Sequence, residues 1–234
     1  MSRVNEFGQL IGPDLGDWRP PAFPEPVVLE GQMTRLEPLD AARHAAPLFD
    51  AYASAPPTLW TYMPFGPFGS VEDLAEAIER LLAYPDWRAF AVLEDGVALG
   101  FLSYLRIDPK VGVIEIGSIA YSPALQKTGP ATEAIYLMLK HAFDLGYRRC
   151  EWKCDALNEP SRSAADRLGF RYEGTFLKAA HYKGRSRDTA WYAMTDEEWP
   201  SVGLALELWL AEDNFDALGH QRRPLSMIRS DLAS

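Results

Sequence analysis

Cysteine is scarce in this chain: two in 234 residues, Cys150 and Cys154, both inside "RRCEWKCDA". If that stretch is a strand, the two thiols share a face about 13 Å apart, too far for a disulfide. The spacing is not that of a metal-binding or redox pair, so a reduced, cytoplasmic protein is expected, with no metal. Long apolar runs are missing too. None approaches the ~20 residues of a membrane span, and the opening "MSRVNEFGQLIGPD" does not read as a signal peptide. A basic run is also lacking. With 33 acidic and 23 basic residues the formal net charge is −10, which argues against nucleic acid and suits a cationic ligand or plain solubility. There is no internal repeat.

What is present is a chain with 47% hydrophobic residues, enough for one domain with a substantial core. Residues 1–30 are rich in Pro and Gly and lack periodicity; they read as an extended arm, with Trp18 and Phe23 as anchors. Residues 31–200 carry the regular patterns. "QMTRLEPL" alternates like a strand, and "DAARHAAPLFDAYAS" predicts a helix capped by Asp40. The aromatic, turn-rich "PPTLWTYMPFGPFG" leads to a second helix, with Ser70 and Asp73 as a capping box. Strands "RAFAVLE" and "VALGFLSYLRI" flank the hairpin signal Asp95-Gly96, and "VIEIGSIAY" is a third. A helix from about Pro130 to Leu145, closed by Gly146, crosses to the strand "RRCEWKCDA". A short helix in "NEPSRSAADRLGF" follows, then a strand pair, "FRYEGTFL" and "DTAWYAM", around a connection holding Lys183-Gly184-Arg185. Residues 201–234 continue a further helix into a tail of ambiguous pattern. Antiparallel strands, one strand–helix–strand crossover and a closing hairpin predict an α+β sandwich around one central sheet.

The crossover helix begins oddly. "QKTGPAT" places a glycine, a proline and small side chains where a helix exposes unpaired N–H groups and the positive end of its dipole. Low side chains let an anion reach the backbone, and Lys127 adds charge. The segment is neither a Walker A loop, since Gln126 stands where a glycine is needed, nor a dinucleotide fingerprint, having a single glycine. A pyrophosphate cradle and an ordinary strand-to-helix turn are the two readings.

The stretch from about Ile114 to Met194 resembles the GCN5-related N-acetyltransferases (GNAT), within them the RimJ/RimL-type ribosomal-protein N-acetyltransferases. The likeness rests on Gln126, Gly129 and Ala131 followed by "TEA", on Asn158 to Ser161 as NxxS, and on Leu168 to Gly174 as "LGFRYEG". It implies a three-layer sandwich: a central mixed, mostly antiparallel sheet with helices on both faces. It also implies an acetyl-CoA-dependent N-acetyltransferase acting on a small-molecule amine or a peptide N-terminus by direct attack in a ternary complex. A non-catalytic acyl-CoA sensor and a transferase for a larger acyl group are the alternatives, and a homodimer is an option.

The resemblance also distributes roles. Pantetheine would pair with Ile119, Ala120 and Tyr121, and the pyrophosphate would meet Gln126, Lys127, Thr128, Gly129, Pro130, Ala131 and Thr132. Asn158 would hold the pantetheine and Arg162 a phosphate. The tyrosine acid of many members is replaced by Ala165, so the implied general acid is Ser161, as in the RimL branch; the alternative is a locally bonded helix hydroxyl. For the base, Glu115 in a strand is one candidate, and pairing with an arginine across the sheet is its alternative. His181 is the rival base. Trp60, Tyr62, Phe65 and Phe68 would line the acceptor slot, or pack down.

Overall fold

A computed structural model describes residues 3–232. In chain order it contains β1 (Arg3–Val4), β2 (Leu10–Ile11), β3 (Leu29–Glu30), β4 (Arg35–Pro38), α1 (Ala41–Tyr52), α2 (Val71–Leu82), β5 (Arg88–Glu94), β6 (Val97–Asp108), β7 (Val113–Tyr121), α3 (Gly129–Asp144), β8 (Arg149–Asp155), α4 (Glu159–Leu168), β9 (Arg171–Tyr182), β10 (Arg185–Thr195), α5 (Trp199–Leu210) and α6 (Leu225–Leu232).

One eight-stranded sheet runs β3-β4-β5-β6-β7-β8-β10-β9, antiparallel throughout except between β7 and β8. That parallel pair is the one that needs a crossover, and α3 supplies it. Strand alternation feeds two cores. Ile114, Ile116, Cys150, Trp152 and Tyr192 pack against α3, α4 and α5, while Ala91, Leu93 and Phe101 pack against α1 and α2. The three-layer α+β sandwich expected from the sequence is the observed fold.

Local signals set most boundaries. Asp40 Oδ1 accepts from Arg43 N (2.8 Å) and opens α1. At α2, Ser70 Oγ accepts from Asp73 N, but Asp73 answers Gly69 N rather than Ser70, so only half of the expected capping box forms. The last hairpin differs from expectation. The strands run on through "KAAHY" to a turn at Lys183-Gly184, with a bulge around Lys178, because the β10 backbone pairs with it regardless of its side chains. The tail that read ambiguously holds α6, whose Leu225 and Ile228 are buried in the α3-side core.

The N-terminal arm is tied at two aromatic points. Trp18 Nε1 donates to Gly146 O (3.2 Å) beneath the Arg148 guanidinium, and Phe23 lies 4.4 Å under that of Arg88. No helix among the described residues is long and apolar enough to cross a membrane.

Candidate active site

The sheet opens at its parallel seam. β7 and β8 pair at only three positions, Val113–Arg149, Ile114–Cys150 and Glu115–Glu151. Beyond them each strand keeps its other neighbour: β7 stays on β6 as far as Tyr121, and β8 stays on β10 as far as Asp155. The result is a V-shaped gap walled by backbone. A bulge on the β7 side, with Ser118 at φ 51°, drops Ser118 and Ile119 out of the β6 register. Ile119, Ala120 and Tyr121 therefore stand along the gap. The carbonyl of Ala120 accepts from the buried Tyr52 hydroxyl (2.7 Å), and that of Tyr121 accepts from Gln126 Nε2 (2.8 Å). Gln126 thus fastens the following loop to the strand end.

The loop delivers α3 to the head of the gap. Lys127 is left-handed (φ 63°), and Thr128 is the N-cap, its Oγ1 accepting from Ala131 N (3.2 Å) and donating to Leu125 O (2.7 Å). Pro130 has no N–H. Among the described residues, the N–H groups of Lys127, Thr128 and Gly129 have no protein acceptor. A Cβ at Gly129 would lie 2.7 Å from Met33 Sδ, so a side chain there would have to displace the end of Met33. Behind it Glu133, buried, accepts from the N–H groups of Gln32, Met33 and Thr34, each at 2.8 Å, and locks the turn before β4 against α3. Sequence reasoning missed Glu133; an acid inside the "TEA" of a helix start was its signal. Thr132 Oγ1 accepts from Arg167 (3.2 Å), whose guanidinium lies over the Trp209 ring.

The second helix start, at α4, borders the same gap. Asn158 caps it, accepting from Ser161 N (3.3 Å). Ser161 Oγ accepts from Trp152 Nε1 (3.0 Å), on the part of β8 that has left β7, and lies beside Cys154, whose thiol burial pushes up. Arg162 is bonded to the Tyr192 hydroxyl (3.3 Å) and Ala156 O (3.4 Å), so part of its guanidinium is already occupied.

On the opposite face the picture changes. Glu115 is buried and held by a two-bond Arg106 pair at 2.6 and 2.5 Å, with Lys153 Nζ at 3.0 Å. Lys153 also bonds Glu151 (2.6 Å) and sits 3.8 Å from the centre of the Trp191 ring. Arg149 extends the chain from Glu151 to Glu173. This is the cross-sheet pairing alternative, with both carboxylate oxygens of Glu115 engaged by cations. His181 is exposed on β9, opposite Ser186.

The aromatic stretch packs down more than it lines a slot. Trp60 is buried, edge-on to Tyr52 and Phe68 (5.1 Å each), and Phe65 lies on Phe101 (5.9 Å). Tyr62 alone of the four reaches across, donating to Leu157 O (2.9 Å) just past β8. The loop is gripped by a residue that the sequence placed in the hairpin connection without giving it this role. Lys183 Nζ donates to the carbonyls of Trp60 (2.8 Å), Phe65 (3.2 Å) and Gly66 (2.8 Å). Tyr182 donates to Asp155 Oδ2 (2.7 Å); burial and that bond push its hydroxyl up to about 12.

Known proteins share this architecture. A solved GCN5-related N-acetyltransferase from Brucella melitensis is 40% identical, with a TM-score of 0.89 over 92% of this chain and 100% of its own. The SPbeta prophage-derived N-acetyltransferase YokL of Bacillus subtilis (strain 168) is 29% identical over 56% of this chain and 73% of its own length. A Salmonella typhimurium acetyl transferase that modifies the N-terminal serine of 50S ribosomal subunit protein L7/L12 is similar in fold, with a TM-score of 0.64 at 20% identity, over 72% of this chain and 99% of its own. Residues 34–171 match the family described as Acetyltransferase (GNAT) domain. With a splayed parallel seam, a small-residue helix start at its head and that match over more than half its length, the chain belongs to the GNAT acetyltransferase family.

Proposed function

We propose that the protein transfers an acetyl group from acetyl-CoA to an amine, a small molecule or a peptide N-terminus, by direct attack. The observation that carries this reading is the gap between β7 and β8, with the unpartnered N–H groups of Lys127, Thr128 and Gly129 at its head. Residues 119–121 and Asn158, which border the gap, suit a pantetheine, and residues 126–132 suit a pyrophosphate, because the N–H groups of Lys127 to Gly129 lack a protein acceptor and the side chains from Thr128 to Thr132 are small. When bound, acetyl-CoA supplies the acetyl group as a reactive thioester.

The chain's own groups divide the rest of the work. The ladder-free backbone around Ile119 can donate to a developing oxyanion. Ser161, its Oγ accepting from Trp152 and its hydroxyl within hydrogen-bond reach of the Cys154 sulfur, can turn its hydrogen from that neighbour to a departing thiolate. For proton removal from the acceptor, Glu115 is the weaker candidate, since two cations already saturate it. We assign that role to His181, which is open to solvent on the hairpin whose tip grips the aromatic loop. Both cysteines are buried, and burial raises both thiols, so neither suits a covalent acetyl carrier. Placement in the RimJ/RimL-type branch rests on Ser161 combined with Ala165.

A screen of alkylamines, amino acids and peptide N-termini with acetyl-CoA, reading free thiol, tests the reading. Acceptor-dependent thiol release is expected, and it should fall sharply in His181→Ala. Tight acetyl-CoA binding with no release for any acceptor would favour a sensor instead.

A further inference from the structure

The acceptor side of this acidic chain carries a local excess of positive charge. Between Leu177 and Arg187 lie four Lys or Arg residues and no Asp or Glu. Two of these cations are accounted for: Lys183 holds the carbonyls of Trp60, Phe65 and Gly66, and Arg185 reaches Thr61 O (3.4 Å). Arg187 is different. Its Nε is fully buried without a hydrogen-bond partner, and among the described residues no carboxylate lies within ion-pair distance. The nearby Asp155 is already engaged, Oδ1 by Leu157 N (2.9 Å) and Oδ2 by the Tyr182 hydroxyl.

Its position is informative. β10 pairs with β8 as far as Thr189–Asp155, and Arg187 lies two residues further, level with the open end of the gap. Alternation along β10 puts Arg187, Thr189 and Trp191 on one face. Trp191 stacks over Lys153, which identifies that face as the one opposite α3, under the loop that Lys183 grips. Trp191 Nε1 is a second buried donor there with no partner. Arg187 is half-buried: its Nε donor is withdrawn from water with no acceptor, which is costly unless a ligand completes it, and the guanidinium fork matches a carboxylate.

We propose that Arg187 recognises a carboxylate on the acceptor, so that the favoured substrate is an amine bearing an acidic group close to the nitrogen. The proposal rests on the acetyl-transfer reading and narrows it. Two sources share this chemistry: the α-carboxylate of a free amino acid, and an acidic side chain at a peptide N-terminus.

The test is a set of matched acceptors. Free amino acids are compared with their carboxamides, and the tripeptide Glu-Ala-Ala with Gln-Ala-Ala, using wild type, Arg187→Gln and Arg187→Lys. Wild type is expected to prefer the acid of at least one pair type by about 10²-fold in kcat/KM, carried mostly by KM. The acid-over-amide ratio should fall towards 1 in Arg187→Gln and recover in part in Arg187→Lys. Thermal melting and acetyl-CoA affinity, compared across the three proteins, verify that each is folded. Which pair responds separates amino acid from peptide. A wild-type ratio near 1 in both arms, or an unchanged ratio in folded Arg187→Gln, overturns the proposal while leaving acetyl transfer standing. If no amine turns over, acetyl transfer fails instead. Calorimetry of the same pairs on CoA-loaded protein then decides, and equal binding of acid and amide, or none, overturns carboxylate recognition.

Discussion

Arg106 and Glu115 face each other across β6 and β7 in a two-bond pair, Nε to Oε2 at 2.6 Å and Nη2 to Oε1 at 2.5 Å. The carboxylate is buried while the guanidinium is half in water, so the pair anchors a charge the sheet could not otherwise hold. Lys153 completes it from β8, next to the last residues that pair before the seam opens. We regard this cluster as the pin that ends the splay.

Glu115→Gln should therefore act on the fold. Removing the buried carboxylate leaves Lys153 only Glu151 and takes Arg106's partner away, and the expected loss is about 3 kcal/mol, at the low end for a broken buried pair because Lys153 keeps one carboxylate and Arg106 is partly solvated. Urea denaturation measures it. Rates on an alkylamine and on a low-pKa amine should fall alike. A loss confined to the alkylamine, in a protein of normal stability, would restore Glu115 as the base.

Gly129→Glu should abolish acetyl-CoA binding. The substitution crowds Met33 and sets a negative charge where phosphate is expected to meet backbone N–H groups. Calorimetry on the folded variant checks this, and ordinary affinity would remove the cradle assignment.

Ser161→Ala should lower kcat more than it weakens acetyl-CoA binding, since its hydroxyl matters most when charge develops on sulfur. It also leaves Trp152 Nε1 without its acceptor, worth about 1–2 kcal/mol of stability. An unchanged kcat under chemistry-limited conditions would confine Ser161 to that structural bond.

Tyr182 supplies a pH test. Its hydroxyl is raised from 10.0 to about 12 in the fold, first by burial and then by its bond to Asp155. The folded state therefore holds this proton more tightly than the unfolded chain. Its contribution is complete below about pH 10 and is lost as pH rises towards about 12. Tyr182→Phe should flatten the fall in stability across that alkaline window relative to wild type. Parallel curves for the two proteins would show that the Asp155 bond does not persist in solution.

Local physics was legible before any coordinates. The Asp40 and Ser70 caps, the Asp95-Gly96 hairpin and the glycine after α3 each act within a few residues, so the sequence by itself determined the element order from β4 to α5 and, through it, the layered α+β class, but not the short strands of the arm or α6. The odd start of α3 was legible for the same reason: a helix terminus advertises its unpaired N–H groups in the residues it tolerates. Long-range register was not legible. Arg106 finds Glu115 across a hairpin, Lys153 joins from a parallel strand, and Lys183 crosses more than a hundred residues to the aromatic loop. Periodicity says which face a side chain takes, but which partner it meets depends on how strands align and where a bulge shifts them. Tertiary structure alone therefore decided that Glu115 is paired, that Trp60, Phe65 and Phe68 are packed, and that Arg187 is left without a partner.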